Sequence, residues 1–210
     1  MNLLLLSLRD GAVAPFLADA TGAPRRTLRI GYVADAQVRD AGAPFVVNER
    51  ERVGALGHEV LEIVARELTP HAFDTVLSGL DAVYVASGST FALLEALRVT
   101  GNDEVLVRHV RAGLPYVGSS AGSIVAGPDV APAALMDDPA DGPLLTGTAG
   151  LGLVGVTVVP HADGLLPPYP PELIRRTLAT YGTDHALVPL RDDQALLVRG
   201  DEERVVDSAG

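Results

Sequence analysis

Gly118-Ser119-Ser120-Ala121-Gly122 lies between an apolar run, Leu114 to Val117, and a helix-compatible stretch, Ser123 to Ala126. The pentapeptide therefore places a serine at a strand-to-helix turn. Such a turn strains the backbone, so small residues are needed on either side of it. In return a hydroxyl is exposed beside the N–H groups of a helix start. Ser120 is the candidate nucleophile, and the alternation of strand and helix around it points to an α/β fold.

That alternation runs along most of the chain. Strand-like runs recur at Leu3 to Leu8, Thr27 to Val33, Ala82 to Ala86, Pro115 to Gly118 and Val154 to Val159. Between them, Asn48 to Leu68 is helical for part of its length, and Phe91 to Leu97 and Asp103 to Val110 read as short amphipathic helices. The pattern predicts a three-layer α/β/α sandwich around a largely parallel sheet. Ala186 to Leu190, Ala195 to Val198 and Arg204 to Val206 predict a terminal antiparallel meander, with Arg191-Asp192-Asp193-Gln194 as a turn. Gly127 to Gly150 and the proline-rich Ala162 to Pro171 should be irregular, and long loops of this kind often carry function.

The chain has 210 residues, 48% of them hydrophobic and only 4% aromatic, which suits one domain over 1–210 with a Leu, Val and Ala core. Met1 to Leu8 has no basic start and too short an apolar run for a signal peptide, so a core strand is expected there. No run is long and uncharged enough to span a bilayer, which makes cytoplasmic residence the default expectation. There is no Cys, and all 16 basic residues are Arg. Thiol nucleophiles, Schiff-base lysines, Ser-Lys dyads, Cys-ligated zinc and a Walker phosphate loop are therefore excluded. The formal charge of −11, with no arginine stripe interleaved with aromatics, argues against nucleic acid.

An activated serine needs a base and a group to orient that base. Of five histidines, His161 alone directly follows an apolar run, Val154 to Pro160, at the strand edge where ligands gather in open α/β sheets. His58, His71, His109 and His185 read as surface or capping residues. For the orienting acid, Asp137, Asp138 and Asp141 share the irregular segment between Ser120 and His161, and Asp163 is a further candidate that would contact substrate instead. No cluster of further ligands accompanies His161 and Asp163, so no metal is expected. Only 41 residues separate Ser120 from His161, too few for the strand-helix units of an α/β-hydrolase.

Taken with Leu3-Leu4-Leu5-Leu6-Ser7, Ser87-Gly88-Ser89-Thr90-Phe91-Ala92-Leu93-Leu94 and Gly150-Leu151-Gly152-Leu153-Val154 leading to Pro160-His161, the elbow resembles peptidase family S51. These are the aspartyl dipeptidases known as peptidase E, related to cyanophycinases. The resemblance covers most of the chain and implies a sandwich similar to class I glutamine amidotransferases, with serine in place of cysteine and no cofactor. It implies Ser120 as nucleophile, His161 as base, an acid in the 137 to 138 loop (Asp137 preferred to Asp138), and an oxyanion hole from the N–H groups of Gly88 and Ala121. Ser89 stands in the substrate-binding turn. Recognition of an N-terminal aspartate would fall to Arg175, with Arg176 beside it. Family members usually carry Gly-Gly-Asn-Thr where this chain has Ser87-Gly88-Ser89-Thr90, which bears on pocket shape and substrate preference. The expected partner is a short peptide substrate. A β-aspartyl or cyanophycin-like substrate, or a degenerate ligand-binding module, are the alternatives. A homodimer is compatible with the fold, although no association surface is legible.

Overall fold

The computed structural model describes residues 1–23 and 26–210. Its main sheet has the order β3-β2-β4-β5-β1-β8-β9, formed by β1 (Asn2–Leu6), β2 (Arg29–Val33), β3 (Glu59–Ile63), β4 (Ala82–Val85), β5 (Tyr116–Ser119), β8 (Gln194–Arg199) and β9 (Glu202–Asp207). The first five are parallel to one another, while β8 and β9 run antiparallel. β6 (Thr157–Val159) and β7 (Leu187–Pro189) form a separate parallel pair. The helices are α1 (Val13–Ala20), α2 (Pro44–Ala55), α3 (Pro70–Ser78), α4 (Thr90–Thr100), α5 (Asn102–Arg111), α6 (Ala121–Val125) and α7 (Pro171–Tyr181).

β1 joins the two halves of the sheet, pairing parallel with β5 and antiparallel with β8. Successive side chains on a strand point to opposite faces, and the four leucines of β1 divide accordingly. Leu3 and Leu5 enter a core with α3, α4, α5 and α6, whereas Leu4 and Leu6 enter one with α1 and α2. A strand buried on both faces tolerates only apolar residues, which explains a continuous leucine run without alternation. The predicted α/β/α layering is therefore observed.

Local chemistry sets the helix ends near the site. The Ser89 hydroxyl accepts from Ala92 N–H at 3.3 Å and caps α4, and Gly101, at φ 76°, closes it. Thr69 caps α3 in the same way, followed by Pro70 at the first helical position.

Asn48 to Leu68 is helical over part of its length, as expected, up to the end of α2 at Ala55, and then forms β3, whose pattern of mostly exposed residues, Glu59-Val60-Leu61-Glu62-Ile63, is that of an edge strand. Two expectations need correction. The run ending at Val159 does form a strand, but outside the main sheet. The predicted three-stranded meander is reduced to β8 and β9, because β7 pairs with β6.

The double-sided burial of β1 predicts that Leu5→Ala costs about 2–5 kcal/mol. Urea denaturation against wild type checks this; a loss well below that range would mean that β1 is not the joint of the two cores.

Candidate active site

β4 and β5 are adjacent and parallel, so the turns that follow them emerge together at one sheet edge. They deliver Gly88 and Ser120. Ser120 sits at φ 46° and ψ −101°, a strained conformation for a residue with a side chain. The flanking glycines are required by contact: a Cβ at Gly118 would lie 2.5 Å from the Gly122 carbonyl oxygen, and one at Gly122 would lie 2.1 Å from that of Val85. The Leu6 carbonyl accepts both Ser120 N–H, at 3.1 Å, and the Ser123 hydroxyl, at 2.7 Å. Tyr116 donates its hydroxyl to the Gly122 carbonyl at 2.6 Å. The elbow is thus lashed to β1 and β5.

The β6-β7 pair brings in two further groups. Val159 is in register with Pro189, and Leu190 N–H donates to the Val159 carbonyl at 2.9 Å. Ala162 N–H donates to the Leu190 carbonyl at 2.8 Å. Two parallel strands ending together place the residues just beyond them side by side, and these are His161 and Asp192. His161 Nε2 lies 3.1 Å from Ser120 Oγ, and its Nδ1 lies 2.7 Å from Asp192 Oδ1. The imidazole is 3% exposed and stacks on Tyr169 with ring centroids 4.8 Å apart. His161 also takes a left-handed φ of 58°, and its N–H donates to Ser7 Oγ at 2.7 Å.

The acid at the imidazole is therefore Asp192, and neither Asp137 nor Asp138 takes that place. Asp137 accepts from Thr90 N–H at 3.0 Å, and Asp138 is exposed and accepts from Ala140 N–H at 2.9 Å. Asp141 pairs with Arg39. Placing Asp192 in a meander turn hid it, because the β6-β7 pairing is a contact between strands far apart in sequence. The signal available was an acid just past an apolar run, the same feature that singled out His161.

Asp163 backs Asp192: its Oδ2 accepts Asp192 N–H at 3.2 Å, and Arg9 N–H donates to the Asp192 carbonyl at 2.9 Å. Asp163 does not line the cavity, contrary to its expected contact with substrate. Arg175 is also displaced from its expected role. It lies exposed on α7, paired with Glu172 one turn earlier. Arg176 is exposed as well.

A cavity of about 710 Å³ opens over Ser120 and His161. Gly88, Ser89, Asp137 and Tyr169 form part of its wall, and Arg9, Asp10, Asp40 and Arg52 another part. Arg52 is committed to Asp10 and the Leu8 carbonyl. That leaves Arg9 as the cavity arginine without a carboxylate partner among the described residues. Gly88 has φ 132°, and a Cβ there would lie 2.3 Å from the Ala36 carbonyl oxygen. Ser87, Ser89 and Thr90 N–H groups donate to Glu49, Ala36 and Asp137 respectively. Among the described residues, the N–H groups of Gly88 and of Ala121, at the start of α6, donate to no protein acceptor. No three His, Asp or Glu side chains among those residues are grouped as a metal ion would need.

Burial pushes the Asp137 carboxyl above the usual carboxylate range, and the Thr90 hydrogen bonds offset this only in part. Burial and the neighbouring Asp137 push the Tyr169 phenol up to about 12. A carboxyl whose pKa is raised on folding favours the folded state when protonated, and that contribution is lost as pH rises through its folded pKa. Asp137→Asn, which keeps the acceptor for Thr90, should therefore raise Tm at pH 7 and lose that advantage near pH 3. Thermal melts at the two values check this; equal shifts at both would contradict it.

The sequence profile of peptidase family S51 matches residues 5–206. "Uncharacterized peptidase Lmo0363" of Listeria monocytogenes is 31% identical over 201 residues, 96% of each chain. "Peptidase E" of Streptomyces coelicolor is 52% identical over 54 residues, 26% of this chain and 22% of that one. Among solved structures, one described as a "Putative Peptidase E Protein" from Listeria monocytogenes EGD-e superposes with a TM-score of 0.85 at 25% identity, covering 98% of both chains.

Proposed function

The chain belongs to peptidase family S51, and we propose that it is a serine peptidase that cleaves short peptides, with N-terminal aspartyl dipeptides as its substrates. The observation that carries the reading is the continuous line Asp192, His161, Ser120, whose last two members line the cavity.

Chemistry on this line is acyl transfer. Asp192 holds Nδ1–H of the imidazole, which leaves Nε2 free to take the Ser120 proton as Oγ attacks the scissile carbonyl. The carbonyl π electrons move to oxygen, and the N–H groups of Gly88 and Ala121 receive the oxyanion. The proton on His161 Nε2 passes to the leaving amine as the C–N bond breaks. Water, deprotonated by His161, then attacks the acyl carbon, the bond to Ser120 Oγ breaks as His161 returns the proton to that oxygen, and the acid is released. Tyr169 covers one imidazole face and keeps bulk water from it.

The substrate side rests on charge. With Arg175 turned away, Arg9 is, among the described residues, the cavity arginine without a carboxylate partner, and its fork suits an aspartate side-chain carboxylate. Asp40, also in the wall, carries the charge that would pair with a peptide α-ammonium group.

Hydrolysis of Asp-Leu, β-Asp-Leu and Ala-Leu, followed by amine release, tests the reading. Wild type should cleave Asp-Leu. Ser120→Ala and His161→Ala should each lose on the order of 10⁴-fold in kcat, and Asp192→Asn a loss approaching this, since the amide stabilises the wrong imidazole tautomer. Full turnover by Ser120→Ala would overturn the mechanism, and cleavage of β-Asp-Leu alone would move the substrate to β-linked peptides.

The arginine assignment is tested separately. Arg9→Ala should raise KM for Asp-Leu at least tenfold, as expected for loss of a charge-assisted bond of about 1.5–3 kcal/mol. Arg175→Ala should leave it unchanged, and the opposite pattern would restore the helix arginine.

A further inference from the structure

Glu49, on α2, is 1% exposed and is not part of the line of proton transfer described above. Its two carboxylate oxygens collect an unusual number of donors. Oε2 accepts from Gln37 Nε2 at 2.5 Å, from Ser87 Oγ at 2.7 Å and from Ser87 N–H at 3.2 Å, while the Tyr32 hydroxyl, 3.3 Å away, donates to Gln37 Oε1 at 2.9 Å. Oε1 accepts from Tyr84 Oη at 3.0 Å. Burial and the Glu49 charge push both phenols far above their ordinary range, so both stay donors. The two rings stack at 5.5 Å. Burying a carboxylate is costly unless it is fully hydrogen-bonded, and this one is placed against the residue that precedes Gly88.

We infer that Glu49 is a positioning residue for the oxyanion hole, acting through Ser87. The inference rests on the proposed role of Gly88 N–H. Two consecutive anchors bracket that group. The peptide plane before it is held by Ser87 N–H on Glu49, and the plane after it by Ser89 N–H on the Ala36 carbonyl, at 3.0 Å. Fixing both neighbours leaves the Ser87–Gly88 peptide little freedom to rotate, and the Ser87 hydroxyl adds a second tie to the same carboxylate. The contact also explains why serine occupies position 87: its side chain is the group that Glu49 binds. Oxyanion stabilisation depends on donors aimed in advance at the developing charge, so loosening this turn lowers the rate and spares ground-state binding.

The test uses a fluorophosphonate probe, which Ser120 attacks at phosphorus with loss of fluoride, and which needs no known substrate. Labelling rates are measured on the full chain for wild type, Ser120→Ala, Glu49→Gln and Ser87→Ala, with thermal melts alongside. Ser87→Ala removes one donor to the buried Glu49 carboxylate and keeps the Ser87 N–H bond to it, so it should fold as wild type does, with Tm lowered by a few degrees. Both Glu49→Gln and Ser87→Ala should be labelled about ten- to a hundredfold more slowly, somewhat less than the loss of a whole oxyanion donor. Turnover of whichever dipeptide wild type cleaves should fall in kcat by a similar factor with KM unchanged. Labelling of either variant at the wild-type rate, or a loss carried by KM, would overturn the inference while leaving the serine mechanism intact. A wild type that resists labelling at Ser120 would remove the serine mechanism, and the inference with it.

Discussion

The site hangs from the carboxyl end of β1. Three residues there hold groups that are far apart in sequence. Leu6 offers its carbonyl to the Ser120 N–H and the Ser123 hydroxyl, Ser7 offers its hydroxyl to the His161 N–H, and Arg9 N–H binds the Asp192 carbonyl. Ser120 and His161 are the described non-glycine residues with positive φ. Such conformations cost about 1–3 kcal/mol each and persist only where the surroundings impose them. Here they are imposed by hydrogen bonds to a strand buried on both faces. The leucine run of β1 therefore has two consequences: it fills both cores, and it supplies a rigid edge against which a strained serine and a strained histidine are set.

From that edge the remaining geometry follows by strand pairing. β5 and β4 deliver Ser120 and Gly88 because they are parallel neighbours, and β6 and β7 deliver His161 and Asp192 for the same reason. Each of these residues lies one to three positions beyond a strand end. Parallel pairing converts short offsets past neighbouring strand ends into nearness in space, and so four short loops assemble one site. The buried Glu49 network under the Ser87–Gly88 turn is the counterpart of the β1 anchor on the other side of the cavity.

How much of this was legible depended on whether the signal was local. The elbow, the His161 strand end and the α/β/α layering were readable because glycine spacing, apolar runs and alternation are properties of adjacent residues. The Gly88 turn gained its meaning from the family resemblance, and the structure supplies the contact that requires glycine there. Asp192 was not readable from its neighbours, since its place depends on β7 pairing with β6 about thirty residues away. Within the turn Arg191-Asp192-Asp193-Gln194 it looks like any solvated acid. Asp137 drew attention as an acid in an irregular loop, yet its carboxyl is spent on the start of α4. Arg175 was matched by distance along the chain, which says nothing about which side of a helix faces a cavity. Glu49 escaped notice because a glutamate beside two arginines, Arg50 and Arg52, reads as a surface helix.

The central claim is that Asp192, and neither Asp137 nor Asp138, holds the His161 imidazole for Ser120. Proton NMR tests it directly, because an imidazole Nδ1–H in a short hydrogen bond to a carboxylate gives a strongly deshielded resonance. The account predicts that this resonance is present in wild type and in Asp137→Asn and is lost in Asp192→Asn. Its persistence in Asp192→Asn, or its loss in Asp137→Asn, would contradict the account.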